Sequence, residues 1–303
     1  MEAKIPEVIE KITGADRMKQ VTVLSGKGGT GKTTITASFV ALSENTVSAD
    51  CDVDASNLHL LLDPEIKEVI EFKGLNVAEI DREKCTKCGR CIELCRFNAI
   101  TDYSVDPIRC EGCKVCVVNC PAGAIEFNER VCGNAYISET KYGPMSHARL
   151  TPGMENSGKL VTLVRQNASK LAGEQEKDMV LIDGSPGIGC PVIASLANVE
   201  YAVIVVEPTL SGIHDLKRVL ELVYHFNVKP LVIINKYDIN RENTTALEYY
   251  CKENNITLLG KIPFDSLVTD SMVMGKPVVE YDPNAASSRA IKKVWKRFNA
   301  TLG

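Results

Sequence analysis

Residues 21–34 read VTVLSGKGGTGKTT, and the reading of this stretch decides the fold. VTVLS at 21–25 is apolar and β-branched, the composition of a buried strand. Gly26-Lys27-Gly28-Gly29-Thr30-Gly31-Lys32-Thr33-Thr34 follows without a break, and ITASFVALS at 35–43 continues as a helix. Strand, loop and helix in this order are the context in which GxxxxGKS/T binds phosphate. The glycines let backbone N–H groups turn inward around phosphate oxygens, and the helix N-terminus adds its positive dipole. Lys32 is placed to reach the terminal phosphates and the Thr33 hydroxyl to bind Mg²⁺. A nucleotide with Mg²⁺ is therefore expected.

Outward from this loop, TVSAD at 46–50, DMVLIDG at 178–184, YAVIVVEP at 201–208 and PLVIINKYD at 230–238 read as further buried strands. Helical stretches lie between them, which predicts an α/β fold with a mostly parallel sheet flanked by helices. The core strand after TVSAD is expected only beyond residue 177, because a cysteine-rich region intervenes.

That region carries eight of the chain's twelve cysteines. Cys85-x2-Cys88-x2-Cys91-x3-Cys95 recurs as Cys110-x2-Cys113-x2-Cys116-x3-Cys120 at an offset of 25 residues, and FNAI at 97–100 matches AGAI at 122–125. Two-residue gaps let three thiolates wrap one face of a cubane, while the fourth cysteine reaches the other cluster. Cys85, Cys88, Cys91 and Cys120 are thereby assigned to one [4Fe-4S] cluster, and Cys110, Cys113, Cys116 and Cys95 to a second. Zinc also accepts paired CxxC ligands, but closes with four and has no use for the longer run. The stretch 80–128 resembles bacterial-type ferredoxins, with Arg96 standing where that family has proline.

The chain of 303 residues is 45% hydrophobic, enough for one large core with a small satellite. Its formal net charge of −4 supplies no global basic field for nucleic acid. The first residues, MEAKIPEVIEKITGADRMKQ, lack the apolar centre of a secretory signal, and no apolar run approaches a membrane span. A cytoplasmic location is expected, where clustered cysteines argue for metal rather than disulfides.

The loop KGGTGKT, with its second lysine Lys27, resembles the deviant phosphate loop of the MinD/ParA superfamily, which includes the nitrogenase iron protein. The resemblance implies that Lys27 crosses a dimer interface to the partner's nucleotide. The Asp50-Cys51-Asp52-Val53-Asp54-Ala55-Ser56-Asn57-Leu58 stretch is similar to that family's first acidic motif. It implies Asp50 and Asp52 beside the γ-phosphate, with Asp52 orienting the attacking water. Asp183-Gly184-Ser185-Pro186-Gly187 looks like the second acidic motif, with Asp183 on Mg²⁺ through water and Gly187 near the γ-phosphate. Asn235 and the IPFD loop at 262–265, with Pro263, resemble the family's base-contacting elements. Asn235-Lys236-Tyr237-Asp238 also fits the NKxD guanine motif, so GTP stays as the alternative to ATP. Together the features resemble MinD-superfamily P-loop ATPases with an inserted 2[4Fe-4S] ferredoxin domain. The expected division is 1–78 with 129–303 for the ATPase and 79–128 for the insert.

Some readings stay open. The nitrogenase iron protein carries a bridging-cluster cysteine seven residues after its Mg²⁺ aspartate, and Cys190 has that spacing from Asp183. The second cysteine of that site is replaced here by Asn156, so a bridging site must be two-coordinate or recruit Cys132. Residues 289–298, RAIKKVWKRF, put Ile291, Val294, Trp295 and Phe298 on one face; an ordinary packed final helix is expected rather than a membrane-touching one. The Gly-, Pro-, Ser- and Asn-containing stretch 129–159 is expected to be a return linker and mobile loop, and 1–17 a peripheral helix. His59, His147, His214 and His225 have no ligand spacing. The expected function is ATP-gated electron transfer through two [4Fe-4S] clusters to a partner metalloprotein, by a homodimer or a heterodimer with a related ATPase. Iron–sulfur or metal-cofactor assembly and delivery is the alternative; a membrane- or nucleoid-positioning ATPase is a third reading.

Overall fold

The computed structural model describes residues 18–153 and 157–303. The expected helix in 1–17 and Asn156 lie outside them. Strand β1 (Lys19–Ser25) is buried from Val21 onward, as its unbroken apolar run requires. It leads through the phosphate loop into α1 (Lys32–Leu42), and β2 (Thr46–Asp50) follows, buried throughout. Next come α2 (Leu58–Leu62) and the long strand β3 (Glu65–Ile80). The cysteine region holds α3 (Arg90–Leu94), the antiparallel pair β4 (Ile100–Thr101) and β5 (Ser104–Val105), and α4 (Val115–Val118). Two strands return: β6 (Ile125–Thr140) and β7 (Gly143–Leu150). Then α5 (Ser157–Glu174), β8 (Met179–Pro186), α6 (Cys190–Leu196), β9 (Tyr201–Val206), α7 (Leu210–His225) and β10 (Lys229–Asn235) alternate. The chain closes with α8 (Arg241–Glu253), β11 (Thr257–Ile262), α9 (Leu267–Val273), α10 (Val278–Tyr281) and α11 (Ala286–Leu302).

The strand order is β11-β10-β9-β1-β8-β2-β7-β6-β3. Every pairing from β11 through β7 is parallel. The phosphate loop leaves the carboxyl end of β1, which lies between β8 and β9, the position where parallel α/β sheets bind ligands. β6 and β7 are joined by Lys141 and Tyr142 alone, a link short enough only for antiparallel neighbours.

The stretch 129–159 is thus not a linker: most of it is β6, β7 and the start of α5. A Cβ on Gly133 would lie 2.5 Å from the Arg149 carbonyl oxygen, so this glycine permits close backbone approach inside a sheet. The expectation that no core strand lies between TVSAD and residue 178 fails, because β7 pairs with β2.

α11 is a packed core helix. Ile291, Val294, Trp295 and Phe298 are buried, and Phe39 of α1 meets Trp295 and Phe298 at ring-centroid distances of 5.0 and 5.5 Å. The described residues divide into two compact units. The first runs through Val69, then Tyr136–Ala148 and from Ser157 to Gly303; the second comprises Ile70–Ala135 and Arg149 onward to the undescribed gap. The chain passes from the first to the second within β3, back within β6, and to the second again within β7, at Arg149.

Candidate functional site

The phosphate loop is shaped by residues that tolerate no side chain. Gly31, at φ 89°, begins α1, and a Cβ there would lie 2.4 Å from the Asn235 amide nitrogen. A Cβ on Gly26 would lie 2.3 Å from that of Asp215. At Gly28 and Gly29 the same atom would meet nothing within 4 Å, because these residues face an open cleft of about 540 Å³.

Lys32 is buried between carboxylates. Its Nζ donates to Asp183 Oδ1 at 3.0 Å and lies 3.6 Å from Asp52 Oδ2. Burial pulls its pKa down, but Asp183 and Asp52 outweigh this and hold it above the ordinary lysine value. The Thr33 and Thr36 hydroxyls also donate to Asp183, at 2.7 and 2.9 Å. Asp50 is fully buried and accepts from Ser56 Oγ at 2.7 Å and from the Asp52 and Leu58 amides at 3.1 Å. Burial, with Asp183 beside it, pushes Asp50 up to about 7. Burial likewise raises Asp52, which Lys32 opposes. The donor set fits Mg²⁺-nucleotide: an ammonium, a hydroxyl and a carboxylate meet at one end of the cleft, and the buried Thr30 hydroxyl has no partner in the protein. Gly187, at φ 89°, ties its N–H to the Ser25 carbonyl, and Pro186 lines the same cleft.

At the other end of the cleft, Asn235, Pro263, Phe264 and Met272 form the wall. Asn235 donates to the Thr30 carbonyl at 2.7 Å, tying this wall to the phosphate loop. Asp238 accepts from the Phe264 amide at 2.8 Å, which folds the loop against the cleft. One oxygen of this NKxD carboxylate is thus engaged by the protein itself.

Lys27 rests within its own chain, 3.6 Å from Glu207 Oε2 and 3.3 Å from both the Thr209 and Ser211 hydroxyls. Lys236 shares Glu207 at 2.5 Å. Glu207, Ser56 and the stapling role of Asp238 escaped the sequence reading; the signal for Glu207 was a carboxylate closing the apolar run YAVIVV.

In the second unit the two cysteine arrays form one repeated loop. Left-handed residues recur at the 25-residue offset: Lys87 with Gly112, Gly89 with Lys114, and Asn98 with Gly123. The Ala99 amide points at Cys95 Sγ (3.4 Å) and the Ala124 amide at Cys120 Sγ (3.3 Å). Cys85, Cys88, Cys91 and Cys120 line one cavity; Cys95, Cys110, Cys113 and Cys116 line another. Burial raises the Cys91 and Cys116 thiols, with further upward pushes from Cys85 and Cys88 on the first and from Cys110 and Cys113 on the second. Among the described residues no group of three or more His, Cys, Asp or Glu side chains is placed to hold a metal ion. Cys190 is exposed at the start of α6, and Cys132 is fully buried. Among the described residues no helix is long and apolar enough to cross a membrane.

Residues 21–278 match the CobQ/CobB/MinD/ParA nucleotide binding domain. An uncharacterized protein of Methanocaldococcus jannaschii is 35% identical over 92% of this chain and 95% of its own length. A putative septum site-determining protein MinD of Mesostigma viride is 26% identical over 86% of this chain and 76% of its own. MinD of Pyrococcus horikoshii, solved with Mg-ADP, superposes with a TM-score of 0.61 at 18% identity, covering 94% of this chain and 98% of that one, a likeness of fold. The chain belongs to the CobQ/CobB/MinD/ParA nucleotide-binding family and is an ATP-hydrolysing P-loop enzyme of the MinD/ParA type.

Proposed function

We propose that this ATPase couples its nucleotide state to one-electron transfer through two [4Fe-4S] clusters. The observation that carries the reading is the sorting of eight cysteines into two cavities, four to each, in the crossed pairing expected of a duplicated CxxCxxCxxxC run. Cys85, Cys88, Cys91 and Cys120 would hold one cluster, and Cys95, Cys110, Cys113 and Cys116 the other. Such clusters supply one-electron capacity at low potential. The amides of Ala99 and Ala124 stabilise negative charge on the two crossing thiolates. Residues 79–128 act as the ferredoxin-like insert, and a partner metalloprotein is the acceptor.

At the ATP end, Lys32 would exchange its carboxylate contacts for phosphate oxygens, and Asp183 with Thr33 would hold Mg²⁺. Bound there, Mg²⁺ would supply charge neutralisation on the phosphates. Asp52 stands at the cleft to orient the attacking water, and Asp50 fixes Asp52 by accepting its amide. Asn235 and Pro263 flank adenine, and the engagement of Asp238 by Phe264 disfavours guanine. Lys27 leaves Glu207 to complete a partner subunit's site.

The exposure of Cys88 and Cys113 also supports the alternative of cluster delivery to an acceptor. Anaerobic protein carrying about eight irons per chain that stay bound beside an apo-acceptor supports electron transfer. Transfer of the irons favours delivery, and zinc in their place removes both readings.

A further inference from the structure

We propose that His59 and His147 are positioning residues that transmit the state of Asp50, beside the nucleotide, to strand β6; this extends the coupling proposed above. Asp183 of β8, Asp50 of β2 and His147 of β7 are in register across three neighbouring parallel strands. Residues so aligned project from the same face of a sheet. The row starts at the carboxylate that holds Lys32 and Thr33 and runs across the sheet toward β6.

The contacts are continuous. Ser56 Oγ donates to Asp50 at 2.7 Å and lies 3.5 Å from His59 Nδ1. The His59 ring stacks on that of His147, with centroids 6.1 Å apart and planes 10° from parallel. His147 Nε2 is 2.9 Å from Ser138 Oγ on β6, and the Tyr136 ring of the same strand stacks on His147 at 5.0 Å. Both His147 and Ser138 are buried. Burial, with His59 beside it, holds His147 down to about 4, so its ring is neutral and its link to Ser138 is a hydrogen bond.

Met145, two positions earlier on the same strand, fills the core without a polar atom. An imidazole at 147 incurs a desolvation cost that only its partners offset. The near end of the row adjoins the cleft: the loop 51–57 holds Asp50 through the Asp52 amide and the Ser56 hydroxyl, and Asp52 lines the cleft. Nucleotide engaging Asp52 shifts that loop, and His59 moves with α2, which begins directly after it. The far end is β6, whose first residue, Ile125, follows the last cluster cysteine, Cys120, by five positions.

The test is hydrogen exchange of full-length protein with Mg²⁺ and a non-hydrolysable ATP analogue, against protein without nucleotide. In the wild type, nucleotide changes exchange of the β6 amides about threefold or more. Ser138→Ala and His147→Phe remove that change while ATP turnover stays within about twofold, and His147→Gln, which keeps a hydrogen-bonding group, restores part of it. A purely structural histidine alters β6 protection equally with and without nucleotide. The inference is overturned if Ser138→Ala retains the full response, or if wild-type β6 is silent while phosphate-loop amides respond. Iron content separates the two proposals. A responding β6 in protein without iron sinks only the cluster assignment, whereas about eight irons with a silent β6 sinks only the relay.

Discussion

Lys32 is the residue on which the nucleotide site turns, because its ammonium faces the buried carboxylates Asp183 and Asp50 and the half-buried Asp52. Lys32→Ala leaves them uncompensated and removes the phosphate contact; ATP turnover should fall at least about a hundredfold, measured by phosphate release. Asp238→Ala frees the Phe264 amide and loosens the base wall. The expected loss is about tenfold in ATP affinity by calorimetry, with no gain for GTP; tighter GTP binding contradicts the adenine reading. His147 carries a pH signature. Its folded pKa of about 4 lies below the ordinary 6.5, so the fold favours the neutral ring. That contribution is fully present above about pH 6.5 and is lost as pH falls toward about 4, by about 2 kcal/mol at about pH 4.5. Urea midpoints of wild type and His147→Phe should therefore converge on acidification, since only the wild type loses this term. Parallel pH profiles contradict it.

Among the elements, those read from sequence are the ones whose burial leaves a continuous apolar run. β1, β2, β8, β9 and β10 each fall within three residues of their expected positions. β3 and β6 escaped because partial exposure breaks their apolar pattern; EIKEVIEFKG alternates poorly and carries four charges before Phe72. β7 escaped because its buried row includes Ser146 and His147, polar residues whose role depends on partners from other elements. Gly133 looked like a linker glycine, yet it is demanded by the Arg149 carbonyl. Gly133→Val should cost about 2 kcal/mol or more in chemical denaturation, since the clash is with backbone; a neutral result contradicts this packing. Trp295→Ala, which empties the space against Phe39 and Phe298, should cost about 3–5 kcal/mol.

At the scale of the whole molecule, the two kinds of chemistry were legible for different reasons. The phosphate loop and the cysteine arrays are local, so spacing alone reveals them. The Glu207 anchor of Lys27, the Asp238 staple and the histidine row join residues up to about 180 positions apart, which no local pattern encodes. The central claim is that ATP and a pair of cubanes share one chain so that the first controls the second. Its most direct test is an EPR-monitored redox titration of the dithionite-reduced, anaerobic protein, with and without Mg-ATP, for wild type and Lys32→Ala. The account predicts about eight irons per chain, two interacting reduced centres, and a nucleotide-dependent shift in their potentials that Lys32→Ala abolishes. Zinc, about four irons or fewer, or identical titrations with and without nucleotide in the wild type contradicts it.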